Sequence, residues 1–73
     1  MIANEDSKEL AMELLCAMTI EEIAEETNDD IEDVYREFRR SKTFEMLFDE
    51  ETGLWLNGPD YVAYEYESSK KGV

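Results

Sequence analysis

Carboxylates are the most numerous side chains in this sequence that could do chemistry. The chain of 73 residues has 20 aspartates and glutamates, one cysteine and no histidine. Histidine is the commonest general base and a frequent metal ligand, so the usual means of acid–base catalysis is missing. Acid pairs such as Glu21 and Glu22 could hold Mg²⁺ or Ca²⁺ loosely, but residues 49–52 (DEET) lack the alternating oxygen ligands of a calcium loop. We therefore expect no enzymatic activity, no cofactor and no metal.

The single cysteine, Cys16, lies in an apolar run beside Leu15 and Ala17. One cysteine can form neither an internal disulfide nor a thiolate metal cluster, and a nucleophilic thiolate needs an activating neighbour. We expect Cys16 in the core and the chain in a reducing cytoplasm. No run approaches the ~20 apolar residues of a membrane span. The acidic N-terminus is also unlike a signal peptide.

Charge is distributed unevenly along the chain. The net charge is −13, and residues 1–35 hold twelve acids and one base. Residues 36–43 contain a short basic island, formed by Arg36, Arg39, Arg40 and Lys42. Residues 44–69 then hold seven acids and no base. Affinity for DNA depends largely on Lys and Arg that neutralise phosphates, so this balance disfavours nucleic acid as a partner. The acids either maintain solubility or match a basic partner, and composition leaves both open.

Local signals predict three helices up to residue 40. Ser7 could cap a first helix whose inward stripe is Leu10, Ala11, Leu14, Leu15 and Met18. Thr19 and Glu22 form a capping box, with Met18 and Ile23 at the staple positions, which predicts a second helix from Ile20. Asn28 suits a left-handed stop, and Asp29 or Asp30 could cap a third helix. The apolar stripe of that third helix is Ile31, Val34, Tyr35 and Phe38.

The rest of the chain is more ambiguous. Ser41 or Thr43 could cap a short helix through Phe48, and Gly53 would make a sharp turn before an extended segment at residues 54–56. A β-hairpin over the same region is the alternative. Pro59 suits the first position of a final helix over residues 60–68, although apolar residues there also alternate as in a strand.

The predicted fold is therefore mainly α: a compact bundle of four to five short helices. It would contain a helix-turn-helix-like corner and a short extended or hairpin segment near residues 46–56. Length predicts a single domain over residues 1–73, with frayed ends at 1–6 and 69–73.

The segment TIEEIAEETNDDIEDVYREFRR resembles the corner of DNA-binding helix-turn-helix families over about twenty residues. In those families the start of the second helix enters the major groove. The corresponding positions here are acidic, namely Asp29, Asp30, Glu32 and Asp33. Such a face would be repelled by phosphates. The alternative hypothesis is a transcriptional regulator that binds DNA through the basic island at the far end of that helix.

The negative charge of this helix-turn-helix-like corner predicts a surface that binds a basic protein. The expected partner-binding acids are Glu25, Glu26, Asp29, Asp30, Glu32 and Asp33. One mechanism is DNA mimicry, as in phage inhibitors of bacterial defence nucleases, including anti-CRISPR proteins. The other is an antitoxin that covers the active site of a basic toxin. Both predict salt-sensitive, electrostatically steered association.

A second resemblance covers 27 residues, SKTFEMLFDEETGLWLNGPDYVAYEYE. It is similar to small uncharacterised acidic proteins of gut Firmicutes and their phages or mobile elements, which share an S-x-T, D-x-x-T-x-L-W and G-P-x-Y pattern. The matching positions are Ser41, Thr43, Leu47, Asp49, Thr52, Leu54, Trp55, Gly58, Pro59 and Tyr61. The resemblance implies a bacterial or phage origin and an interaction role, and it supplies no catalytic residue.

Aromatic residues are concentrated in the same C-terminal third. Trp55 and Tyr61 could plug the core, whereas Trp55, Tyr61 and Tyr64 could instead form a partner or dimer patch, because tryptophan and tyrosine dominate interface hot spots. A homodimer is plausible for so small a core, and would bury some of Phe44, Leu54, Trp55 or the tyrosines.

Overall fold

The computed structural model describes the backbone of residues 4–72 and the side chains of residues 7–70. It contains four α-helices, α1 (Asn4–Thr27), α2 (Ile31–Arg39), α3 (Lys42–Leu47) and α4 (Pro59–Gly72). Two 3₁₀ helices, Glu50–Thr52 and Leu54–Leu56, connect α3 to α4. The mainly α bundle predicted from sequence is confirmed. Residues 1–3 and 73 of the predicted frayed ends lie outside the described part.

Helix α1 is a single 24-residue helix, so the break predicted at Thr19 is wrong. The Thr19 side chain is fully buried, and its Oγ1 donates to the Leu15 carbonyl at 2.7 Å. A threonine can bond to the carbonyl four residues back inside a helix as readily as it caps one, so the capping-box pattern is ambiguous. The cap predicted at Ser7 is also wrong, because α1 begins at Asn4.

The inward face of α1 differs from the predicted stripe. Leu10, Leu14 and Met18 are exposed, whereas Leu15 is buried as predicted. The other buried positions of the helix are Met12, Cys16, Thr19, Ile20 and Ile23. An uninterrupted helix must keep one face towards the core over its whole length, and this set recurs at three- and four-residue spacing. The prediction that Cys16 belongs to the core is confirmed.

The corner between α1 and α2 forms as the sequence predicted. Asn28 adopts a left-handed conformation with φ of 64°, and the Asp30 carboxylate accepts the N–H of Glu32 at 2.9 Å as the N-cap. Val34 and Phe38 are buried. The corner therefore turns the chain sharply while α2 packs back onto α1.

The connection to α4 contains no extended segment. Ser41 caps α3 by accepting the N–H of Phe44 at 3.1 Å, and Gly53 is left-handed with φ of 71°, as predicted. Within residues 4–72 no strand occurs, and the segment predicted to be extended is the 3₁₀ helix Leu54–Leu56. The Asn57 side-chain amide donates to the carbonyls of Gly53 and Leu54, at 3.3 and 3.2 Å, and closes that turn.

Helix α4 begins at Pro59 as predicted and continues beyond residue 68 to Gly72. It packs against α1 and α3. The Phe38 ring lies at the centre of the core, with centroids 5.2 Å from Tyr66 and 6.0 Å from Phe44 in edge-to-face geometry. None of the described helices has the length and apolar character needed to cross a membrane.

Candidate partner-binding surface

Six carboxylates are displayed around the turn between α1 and α2, and we call this surface the acidic corner. Its members are Glu25, Glu26, Asp29, Asp30, Glu32 and Asp33, all of them exposed. The last turn of α1 supplies the first two, the loop after Asn28 the next two, and the first turn of α2 the last two. The structure thus brings all the predicted acidic residues to one end of the helix pair.

Little positive charge neutralises the acidic corner. Of the ion pairs formed by described residues, one involves the corner, between Asp33 and Arg36 at 3.6 Å, and both partners are exposed. An exposed pair of this kind contributes at most about 1 kcal/mol. Eight of the 13 residues from position 21 to position 33 are acidic and none is basic. The corner therefore presents a strongly negative potential to solvent.

Helix α4 extends this negative surface with residues that local sequence did not reveal. A cleft between the end of α1 and α4 is lined by Glu26, Thr27, Asp60, Tyr64 and Glu67. The Oε2 atom of Glu67 is itself buried and accepts no hydrogen bond from any described residue. Asp60 and Glu67 lie more than thirty residues from Glu26 in sequence, so only the packing of α4 on α1 brings them together.

Neighbouring carboxylates and partial burial affect the ionisation of Glu22, which precedes the acidic corner in α1. The pKa of Glu22 is raised, first by partial desolvation and then by the charges of Glu26, Glu25 and Asp60 together with a hydrogen bond to Glu26. Its folded pKa lies above its unfolded value, so ionising Glu22 opposes folding as the pH rises. Such crowding of like charges is the cost of concentrating acids on one surface, and a cationic partner would relieve it.

The predicted aromatic residues separate into two groups. Tyr61 and Tyr64 are exposed on α4, with ring centroids 6.4 Å apart, and Tyr64 borders the cleft beside the acidic corner. A hydrogen bond to Glu65 and the charge of that carboxylate raise the pKa of Tyr61. Trp55 instead packs half-buried against the core, and its Nε1 donates to the Glu50 carbonyl at 3.4 Å. Trp55 is therefore less exposed than the two tyrosines, and among the described rings no aromatic contact joins it to either of them.

The basic island is partly engaged in local contacts. The Arg39 guanidinium lies 5.4 Å from the centroid of the Tyr35 ring and 6.0 Å from that of Phe44, and Nη1 donates to the Tyr35 hydroxyl at 3.4 Å. Arg36 pairs with Asp33. The remaining members, Arg40 and Lys42, are exposed. Two of the four cations are thus already in contact with the protein's own surface.

Sequence reasoning missed a second surface, a groove of about 670 Å³ between α1, α2 and α3. We call it the Tyr35 groove. Apolar and aromatic side chains contribute most of its lining, namely Cys16, Ala17, Ile20, Ile31, Tyr35, Phe44 and Phe48. Its charged lining residues are Glu13, Glu21, Glu32 and Arg39. The Ile31 and Tyr35 side chains were expected to face the core, but each is 48% exposed. The apolar stripe of α2 is wider than the part of α2 that contacts α1, so these two residues lie at its open edge.

The reactivity of Cys16 reports on this groove. Burial raises the pKa of the Cys16 thiol, the nearby charge of Arg39 lowers it, and Glu13 raises it. We expect iodoacetamide to modify Cys16 more slowly in the folded protein than in urea at the same pH, because the thiolate is the nucleophile. Labelling followed by mass spectrometry would measure both rates. Arg39→Gln should slow the folded reaction further and Glu13→Gln should accelerate it, whereas equal folded and unfolded rates would contradict the burial of the thiol.

Within the described residues, no three acidic or thiol side chains converge on a point where they could hold a metal ion.

The candidate surface comprises the acidic corner, its extension onto α4 and the neighbouring Tyr35 groove. No protein family, curated protein or solved structure matches this chain.

Proposed function

We propose that this chain is a non-enzymatic protein-binding inhibitor or antitoxin-like protein that engages a basic protein through the acidic corner. The observation that supports this most directly is the exposure of all six predicted carboxylates around one turn, with a single weak ion pair among them. Concentrated charge of one sign accelerates association with a partner of opposite sign and repels competitors of the same sign.

The partner that fits best is a basic protein with a nucleic-acid channel, such as a defence nuclease, or a basic toxin. In the first case the carboxylates occupy the positions of phosphates, which makes the chain a DNA mimic of the anti-CRISPR kind. In the second case the chain covers the toxin's active site as an antitoxin.

The competing hypothesis is a regulator that binds DNA through Arg36, Arg39, Arg40 and Lys42. Two of these four make contacts within the chain, and the first turn of α2 carries the exposed acids Glu32 and Asp33. A phosphate backbone approaching the island would therefore also meet the field of the acidic corner at the other end of α2. No structural observation favours this hypothesis over protein binding.

The first experiment is a tagged pull-down from bacterial lysate at low and at high salt, with protein and nucleic acid both identified in the eluate. Our proposal expects a basic nuclease, toxin or other nucleic-acid enzyme that is captured at low salt and released at high salt. Recovery of DNA without any enriched protein would overturn it in favour of the regulator.

A further inference from the structure

The Tyr35 groove leaves several apolar side chains partly open to solvent. Ile31 and Tyr35 are each about half exposed, and Phe44 and Phe48 are only partly buried. Its volume of about 670 Å³ is within the range of protein clefts that bind ligands. Ligand clefts are mostly apolar and carry a few polar groups that fix the orientation of the ligand.

The rim of the groove is mainly negatively charged. Glu13 and Glu21 border it from α1 and Glu32 borders it from α2, and all three are exposed. Among the described lining residues the cation is Arg39, which already lies over the Tyr35 and Phe44 rings and donates to the Tyr35 hydroxyl. An occupant would therefore meet apolar surface in the groove and exposed carboxylates around it.

The groove also adjoins the acidic corner. Glu21 and Ile31 line both the groove and the shallow depression that contains Glu25 and Asp29. A partner seated on the corner could extend into the groove without a gap. Electrostatic attraction would then bring the partner in, and apolar contact would slow its release.

We propose that the Tyr35 groove binds a basic amphipathic segment of the partner, which places a large apolar side chain against Ile31 and Tyr35 and flanking lysines or arginines against the rim carboxylates. This inference rests on the proposed function, since it assumes a basic partner. The negative rim favours this occupant over a second copy of this chain, whose net charge is −13, and over nucleic acid.

The test uses three synthetic amphipathic helical peptides of equal length. The first carries leucines on one face and lysines on the other. The second keeps the lysines and replaces the leucines with glutamine, and the third keeps the leucines and replaces the lysines with glutamate. Affinity is measured by fluorescence anisotropy, and occupation of the groove by protection of Cys16 from iodoacetamide, since the thiol is part of the lining.

We expect only the leucine–lysine peptide to bind tightly and to protect Cys16. Ile31→Gln should weaken this binding about 30-fold, the loss that corresponds to an interface hot spot of about 2 kcal/mol. Leu56→Gln is the matched control, because Leu56 is 72% exposed and lies outside the groove lining. Circular dichroism of both variants would verify that each remains folded.

The other outcomes separate the two proposals. Equal affinity for the two lysine peptides, with Cys16 left reactive, would overturn the groove proposal while leaving electrostatic binding at the acidic corner intact. Equal affinity for the leucine–lysine and leucine–glutamate peptides would overturn the charge complementarity on which the inference depends. Failure of both lysine peptides to bind would count against the groove and the acidic corner together.

Discussion

Replacing Phe38 with alanine should leave most of the protein molecules unfolded at room temperature. Its side chain is completely buried, and its ring makes edge-to-face contacts with Phe44 and Tyr66. Removing a buried phenylalanine typically costs about 3–5 kcal/mol, from lost burial and from the cavity that remains. A single core in a chain this short rarely supplies more than about 3–5 kcal/mol of net stability. One substitution therefore removes most or all of the free energy of unfolding.

Urea titration monitored by far-ultraviolet circular dichroism would measure this loss. Leu14→Ala is the control, because Leu14 is 60% exposed on the outer face of α1, and we expect it to change the free energy of unfolding by less than about 0.5 kcal/mol. The neighbouring Leu15 is buried, and Leu15→Ala should cost about 2–5 kcal/mol. Equal effects of the two leucine substitutions would contradict the orientation of α1.

The comparison of these two leucines also shows where sequence reasoning fails. Elements defined by a residue's local chemistry were predictable. The left-handed Asn28 and the Gly53 turn were predicted directly, and the caps Asp30 and Ser41 are each one of two candidates that the sequence offered. The inward face of α1 was not predictable, because its apolar residues form two stripes that both have the three- and four-residue spacing of a buried helix face. Only the positions of α2 and α4 decide which stripe is buried. The false break predicted at Thr19 has the same origin. Burial of Thr19 against other helices directs its hydroxyl to the Leu15 carbonyl within α1, so the hydroxyl does not cap a new helix.

The candidate site likewise has a part that was predictable from local sequence and a part that was not. The acidic corner was predictable because its six residues are close in sequence and flank one turn. Its extension through Asp60 and Glu67 depends on the packing of α4 against α1, which no local pattern encodes. The Tyr35 groove was hidden because each of its apolar residues, viewed on its own helix, is indistinguishable from a core residue. The charge of the surface was thus visible in the sequence, and its shape was not.

Reversing three charges of the acidic corner should abolish binding to the basic partner. The variant Glu25→Lys, Asp29→Lys, Glu32→Lys changes exposed residues and leaves the Asp30 cap of α2 in place. Close interfacial charge pairs have coupling energies of about 1.5–7 kcal/mol each, so reversing three of them should weaken binding by about 100-fold or more. The loss of partner in the low-salt pull-down, and of affinity for the purified partner, would measure the effect.

A variant with the same change in net charge at other positions tests whether the corner itself matters. Glu9, Glu45 and Glu51 are exposed and lie outside the acidic corner, and replacing all three with lysine should reduce binding only modestly, through the weaker overall field. Equal losses in the two variants would mean that bulk charge alone attracts the partner. A DNA mobility-shift measurement on the same proteins separates the competing hypothesis, since a regulator in which three carboxylates of the acidic corner become lysines should bind DNA more tightly. The proposed inhibitor requires the opposite combination: the corner variant loses its protein partner, the control variant keeps it, and the unmodified chain leaves DNA unbound.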